Sequence, residues 1–122
     1  MPDNEDLDLT LLNEIADGSD EFIIESIDMF LQQTPEILKI IDDSMDELDW
    51  ITAAASAHKI KATLGFFGML TTQALVQEVE LACKAGAENP YQIIEKYNQV
   101  KSNLAINTLA LIKLKAALEA GL

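Results

Sequence analysis

The chain has 122 residues, which fits one domain, and 49% of them are hydrophobic, so it has enough apolar side chains to form a core. Its formal net charge is −13 and it contains no arginine, so nucleic acids and anionic membranes would repel it. The single cysteine argues against an intramolecular disulfide, and no apolar run reaches the ~18–20 residues of a membrane span. The acidic N-terminus argues against a signal peptide, and we expect a cytoplasmic protein.

The predicted elements follow a flexible N-terminus, residues 1–6, and residues 7–120 are expected to form the domain. A short first helix runs from about Leu9 to Ala16 and stops at Gly18. Ser19 is a good N-cap for the second helix, because its hydroxyl can accept a hydrogen bond from the first turn.

Pro35 falls within the apolar pattern of the second helix. It either kinks one long helix or opens a new helix with Thr34 as its cap. The apolar stripe continues beyond the proline, which favours a kinked long helix.

N-cap and stop residues mark the last three helices. The expected N-caps are Asp49 for the third helix, Thr71 or Thr72 for the fourth, and Asn89, followed by Pro90, for the fifth. The third helix is expected to end near Phe67, with Gly68 as its stop, and the fourth at Gly86. Strand patterns are nearly absent, so we predict an all-α fold, an antiparallel up-down four-helix bundle with a short extra N-terminal helix.

The only histidine, His58, lies on the third helix away from its apolar stripe. That stripe consists of Ala53, Ala57, Ile60, Leu64 and Phe67. At about 100° per residue, His58 and Lys61 share another face, so the imidazole should point outward with a lysine one turn later. A neutral imidazole nitrogen is a nucleophile, and an ammonium group can neutralise phosphoryl oxygens, so this pair suits phosphoryl transfer.

The helical neighbours of His58 are small: Ala54, Ala55, Ala62 and Gly65. Small side chains would leave the imidazole open to a large partner. Glycine within a helix is less stable than alanine by about 1 kcal/mol, so Gly65 indicates a need for space, either for a partner or for close packing of helices.

Glu80 is the predicted acceptor for the second nitrogen of the imidazole. His58 and Glu80 are equally far along the chain from Met69, the centre of the turn between the third and fourth helices. In an antiparallel hairpin the two residues stand at the same height, so Glu80 can fix the tautomer and the orientation of the ring.

Other chemistries fit less well. A carboxylate-bridged di-iron site needs a Glu-x-x-His pair, and Ala55 occupies that position, so neither a metal nor a cofactor is expected. Cys83 is expected to be a packing residue rather than a nucleophile. Phe66, Phe67 and Met69 are expected in the core or the turn, and the alternative is that some of them form an exposed docking patch.

The run AHKIKATLGFFGM resembles the histidine phosphotransfer (HPt) family, whose pattern is a helix with a His, a Lys three residues later and a Gly ten residues later. His58, Lys61 and Gly68 match this pattern, and Gly65 matches as well. Glu80 falls where the family places a Gln or a Glu beside the histidine.

The resemblance covers about residues 7–115 and includes Pro35 and the pair Asp49-Trp50. Ala62 departs from it, because the family usually has a glycine directly after the lysine. The second histidine of the chemotaxis-kinase branch is not present, which favours the free-standing or hybrid-kinase branch.

The resemblance implies a phosphorelay carrier without an ATP site, which accepts a phosphoryl group on His58 from a receiver-domain aspartate and passes it to another. The implied partners are response-regulator receiver domains and a hybrid histidine kinase, and the Mg²⁺ belongs to the receiver. Lys61 would balance the phosphoryl charge, and a monomer is expected. The expected docking residues are Ala54, Ala55, Lys59, Ala62, Gly65 and Gly68. The alternative is a non-phosphorylated helical adaptor that binds receiver domains.

Charge is distributed unevenly along the chain. Residues 1–50 carry a net charge of −15, whereas residues 51–122, which include His58, carry +2. The acidic residues either solvate the exposed faces of the first helices or help to steer a partner towards the histidine.

Overall fold

The computed structural model describes residues 6–121 and confirms the predicted all-α fold, since this range contains five helices and no strand. The helices are α1 (Thr10–Ala16), α2 (Asp20–Asp46), α3 (Trp50–Phe66), α4 (Leu70–Lys84) and α5 (Pro90–Ala120). In the same range, no helix is long and apolar enough to cross a membrane.

Contacts between side chains give the direction of the long helices. His58 of α3 faces Glu80 of α4, and Lys61, further along α3, reaches back to Gln77 on α4. This register is that of an antiparallel hairpin. Short connections join α2 to α3 and α4 to α5 in the same way, so α2–α5 form an up-down four-helix bundle.

The helices α2 and α5 close the bundle with two ion pairs. Lys101 pairs with Asp42 at 3.1 Å, and Lys115 pairs with Asp28 at 2.7 Å. The lysines advance along α5 by the same number of residues as the aspartates move back along α2, so these helices are also antiparallel.

Three helices begin at the side-chain caps that the sequence predicts. Ser19, Asp49 and Asn89 accept hydrogen bonds from backbone N–H groups at 3.1, 3.1 and 3.3 Å, respectively. These bonds satisfy N–H groups that have no partner within the helix.

The prediction that Thr71 or Thr72 caps α4 is wrong. The helix begins at Leu70, and the carboxylate of Asp6 accepts hydrogen bonds from the backbone N–H groups of Thr71 at 3.0 Å and of Thr72 at 2.7 Å. A carboxylate at this end of a helix also interacts favourably with the helix dipole. The cap therefore comes from a distant part of the chain.

The predicted flexible N-terminus, residues 1–6, lies outside the described residues except for Asp6. The backbone N–H of Asp6 donates to the side-chain oxygen of Asn107 at 3.0 Å. Together with its bonds to α4, this contact ties Asp6 to two helices of the bundle.

Pro35 lies inside a single continuous helix. The alternative in which Thr34 caps a new helix is wrong, and Thr34 is instead a buried residue within α2. A long helix therefore tolerates the missing N–H group of the proline, as the apolar stripe on both sides of Pro35 predicts.

The α3–α4 turn requires glycine at position 68. Gly68 has a φ of +67°, a conformation that L-residues rarely adopt, and a Cβ atom there would lie 2.0 Å from the backbone oxygen of Asp8. The backbone N–H of Asp8 donates to the carbonyl of Phe67 at 3.4 Å. The segment before α1 therefore crosses directly over the turn that joins α3 to α4.

The core contains every residue of the apolar stripe predicted for α3. Ala53, Ala57, Ile60, Leu64 and Phe67 are all buried. The ring of Phe67 packs edge-to-face on Phe30 of α2 at 5.2 Å between centroids. Cys83 and Met69 are also buried, as the sequence predicts for packing residues.

Candidate functional site

His58 projects from α3 into solvent, with 67% of its side chain exposed. The helical spacing predicts this position, because the buried stripe of α3 lies on another face. The imidazole is therefore open to a reaction partner on the side away from the bundle.

Glu80 lies beneath the imidazole and is almost completely buried. Its residue exposure is 2%, and its Oε2 atom lies 3.0 Å from Nδ1 of His58. This is the contact that the mirrored positions of the two residues about the α3–α4 turn predict.

Two lysines meet the same carboxylate. Lys61 donates from Nζ to Oε1 of Glu80 at 2.8 Å, and Lys84 donates to Oε2 at 2.7 Å. Their hydrogen bonds lower the pKa of Glu80 from its ordinary value of 4.5 to about 2 against the opposing effect of burial, and the bond from His58 adds to the lowering. Glu80 is therefore ionised at neutral pH.

The ionised carboxylate determines which nitrogen of His58 is protonated. A carboxylate only accepts hydrogen bonds, so the 3.0 Å contact requires a proton on Nδ1. In the neutral imidazole the lone pair is then on Nε2, which makes Nε2 the nucleophilic nitrogen.

Lys84 is a basic residue of the site that lies outside the His-Lys-Gly pattern of the third helix. The structure places it one turn after Glu80 on α4, at the carboxylate oxygen that also contacts His58. The sequence signal for this contact is the spacing of four residues between Glu80 and Lys84, which puts their side chains side by side on a helix.

Lys61 is held more tightly than an exposed lysine. Its side chain is 23% exposed, and its Nζ donates to Oε1 of Gln77 as well as to Glu80. The amide nitrogen of Gln73 donates to the backbone carbonyl of Lys61 at 3.0 Å. Three residues on one face of α4 therefore contact Lys61.

The prediction that Ala54 lies on an open docking surface is wrong, because Ala54 is only 4% exposed. Lys61 and Gly65, on the same line of α3, contact side chains of α4. Since α3 packs against both α2 and α4, it buries a wider face than one apolar stripe suggests.

Gly65 and Gly68 are also among the expected docking residues, and for Gly65 the sequence leaves close packing of helices as the alternative. A Cβ atom at Gly65 would lie 2.6 Å from the amide nitrogen of Gln73, so this position accommodates a side chain of α4. This contact supports close helix packing over space for a partner. At Gly68, the place of a side chain is taken by the backbone of Asp8.

The other three expected docking residues, Ala55, Lys59 and Ala62, are exposed. Beside Ala62 an apolar groove of about 420 Å³ runs between α2 and α3. Its lining includes Phe22, Met29, Ala62, Phe66 and Phe67. The groove begins one helical turn from His58.

Comparison with known proteins agrees with this geometry. The family model described as Hpt domain matches residues 25–120, which is well over half of the chain. The chain belongs to the Hpt domain family. Searches of curated proteins and of solved structures gave no match.

Hpt domains are phosphotransfer carriers of phosphorelays, in which they interact with receiver domains and histidine kinases. The matched range contains α3–α5 and most of α2, and therefore all of the residues around His58. Residues 6–121 contain no group of three or more His, Cys, Asp or Glu side chains arranged to hold a metal ion.

Proposed function

We propose that this Hpt domain is a phosphorelay intermediate that accepts a phosphoryl group on Nε2 of His58 from the aspartate of a receiver domain and passes it to a second receiver. The observation that carries the proposal is the buried, ionised Glu80 at 3.0 Å from Nδ1 of an exposed histidine. This contact leaves the lone pair of Nε2 free and directed away from the carboxylate.

In the proposed step, the lone pair of Nε2 attacks phosphorus and an N–P bond forms. The bond between phosphorus and the carboxyl oxygen of the receiver breaks, and the aspartate leaves with the electron pair as a carboxylate. The proton stays on Nδ1, so the ring gains a positive charge. Glu80 stabilises this charge through the hydrogen bond that it already accepts.

The two lysines supply positive charge for the phosphoryl oxygens. An ammonium group has three N–H donors. Lys61 uses donors on Gln77 and Glu80, and Lys84 uses one on Glu80, so both lysines keep donors for the phosphoryl group. Lys84 is also the more exposed of the two, at 57% against 23% for Lys61.

The proposed receiver docks on the exposed side of α3, which is formed by Ala55, Lys59 and Ala62, and on the groove between α2 and α3. Phe66 is half-buried in this groove and Met29 is 56% exposed, so the groove offers apolar area close to the histidine. We further propose that the complex with the receiver is transient and has a modest interface area. The Mg²⁺ would lie at the receiver's own acidic site, and the relay would operate in the cytoplasm.

The test is phosphate uptake from a phosphorylated receiver domain with Mg²⁺. The protein should become labelled, and the label should be lost in acid and retained in alkali, as expected of a phosphoramidate. The His58→Gln variant should remain unlabelled, and ATP alone should give no label. An acid-stable label, or labelling of the variant, contradicts the proposal.

A non-phosphorylated adaptor is the second candidate, because the same surface would bind receivers without any chemistry. An adaptor needs neither a fixed tautomer nor two lysines at a buried carboxylate. Receiver binding without label transfer would favour the adaptor.

A further inference from the structure

We infer that Gln73 and Gln77 of α4 are positioning residues that fix Lys61 beside His58, and that position 65 is glycine to admit the side chain of Gln73. This inference rests on the proposed function and extends it to two residues outside the His-Lys-Gly pattern. The two glutamines hold the backbone and the ammonium group of Lys61, respectively.

The first contact is to the backbone of Lys61. The amide nitrogen of Gln73 donates to the Lys61 carbonyl at 3.0 Å, across the α3–α4 interface. A side chain on α3 one turn later would block this approach, because a Cβ atom at position 65 would lie 2.6 Å from the same nitrogen. Gly65 therefore opens the side of α3 to a hydrogen bond from α4.

The second contact is to the ammonium group of Lys61. The Oε1 atom of Gln77 accepts from Nζ, which also donates to Glu80. Because a glutamine is neutral, Gln77 fixes the direction of the ammonium group without cancelling its charge. A carboxylate at this position would hold Lys61 equally well but would oppose the phosphoryl charge.

Together these contacts order the side chain of Lys61 before the phosphoryl group arrives, so that less conformational entropy is lost in the transfer step. A free lysine side chain loses rotamer entropy when it is ordered. With two N–H donors engaged on Gln77 and Glu80, the third is left for a phosphoryl oxygen. Such preorganisation accelerates a transfer step without strengthening the binding of the receiver.

A double-mutant cycle on Gly65 and Gln73 tests the inference. Gly65→Ala and Gln73→Ala should each slow transfer within the receiver complex by about two- to tenfold, the loss expected for one hydrogen bond, and leave the KM for the receiver unchanged. The double variant should be no slower than Gln73→Ala alone. Effects that multiply, or a raised KM for Gly65→Ala in both backgrounds, would mean that Gly65 serves the partner and overturn the inference.

Gln77→Met is the matching variant for the ammonium contact, because it keeps the length of the side chain and removes the acceptor oxygen. It should slow transfer by a similar factor, and Gln77→Glu should slow it further. Gln99→Met, at an exposed glutamine of α5, is the control and should transfer at the parent rate. An unchanged rate for Gln77→Met overturns its role.

The outcomes separate this inference from the proposed function. A labelled parent protein with unaffected glutamine variants overturns the positioning role alone. A parent that takes up no phosphate overturns both. The helical signal in circular dichroism should match the parent in every variant, since Gly→Ala and Gln→Ala both favour helix.

Discussion

Replacing Glu80 with glutamine removes the charge on which the site depends and keeps the size of the side chain. Two ammonium groups and the Nδ1–H of His58 converge on two carboxylate oxygens, at 2.7–3.0 Å. A glutamine has one oxygen, and its amide N–H groups would face at least one of the lysines. The Glu80→Gln variant therefore cannot reproduce the hydrogen bonds of the parent.

The expected loss of stability depends on how deeply Glu80, Lys61 and Lys84 are buried. Removing one member of a buried ion pair costs about 3–5 kcal/mol, but the side chains of Lys61 and Lys84 are 23% and 57% exposed and can turn towards water. We expect Glu80→Gln to destabilise the fold by about 1–2 kcal/mol, which lowers Tm by roughly 3–10 °C. Loss of a hydrogen bond to a charged group should slow phosphoryl transfer by roughly ten- to a hundredfold.

The assay combines thermal unfolding, single-turnover transfer from a phosphorylated receiver, and nitrogen NMR of the imidazole at about pH 8. The parent should show His58 protonated on Nδ1, and the variant should shift towards protonation on Nε2. Glu78→Gln is the control, because Glu78 lies on the same helix, is 51% exposed and pairs with Lys96 at 2.9 Å. Transfer by Glu80→Gln at the parent rate, with the same tautomer, would refute the role assigned to Glu80.

Four further predictions follow from the geometry. Because the pKa of Glu80 is about 2 in the fold and ordinarily 4.5, the unfolded chain binds more protons than the folded chain between these pH values. In urea unfolding, the parent should therefore lose more stability than Glu80→Gln as the pH falls from 4.5 towards 2. Equal losses for the two proteins would contradict the lowered pKa of Glu80. Gly68→Ala should lower the free energy of unfolding by roughly 2 kcal/mol or more. Gly18 also has a positive φ, but a Cβ atom there would meet no atom within 4 Å, so Gly18→Ala should be less destabilising. Equal Tm values for the two variants would contradict the contact of Gly68 with Asp8. Asp6→Ala should cost about 1 kcal/mol in chemical denaturation, as loss of an N-cap does, and no change would mean that the cap on α4 is dispensable. Ala62→Trp should fill one end of the α2–α3 groove and block transfer without loss of helicity, whereas normal transfer would place the docking surface elsewhere.

Local signals account for most of what could be predicted from the sequence. Ser19, Asp49 and Asn89 cap helices through N–H groups only a few residues away, so a short window of sequence contains the whole interaction. The N-terminal cap of α4 was missed for the opposite reason. Asp6 is separated from Thr71 by 65 residues, and nothing near α4 indicates that its cap comes from the N-terminal segment.

The site was predictable where symmetry about a turn determined the geometry. His58 and Glu80 are equidistant from the turn, and an antiparallel hairpin brings such residues together whatever their types. The position of Ala54 could not be obtained in this way, because a helical wheel gives the direction of a residue but not how many neighbouring helices surround it. The packing of α3 between α2 and α4 buries Ala54.

The presence of an acidic residue next to the proposed phosphoryl acceptor has a physical explanation in the arrangement of charges. A carboxylate close to a phosphoryl group repels it, yet the ionised Glu80 accepts the hydrogen bond that holds the proton on Nδ1. The ammonium groups of Lys61 and Lys84 cover both carboxylate oxygens, at 2.8 and 2.7 Å, so with a neutral imidazole the cluster has one positive charge in excess. The same lysines lower the pKa of Glu80 to about 2 and so keep it ionised. They therefore serve two purposes under the proposed function, because the ion pairs that preserve the tautomer of His58 also leave a positive charge near Nε2 for the phosphoryl group.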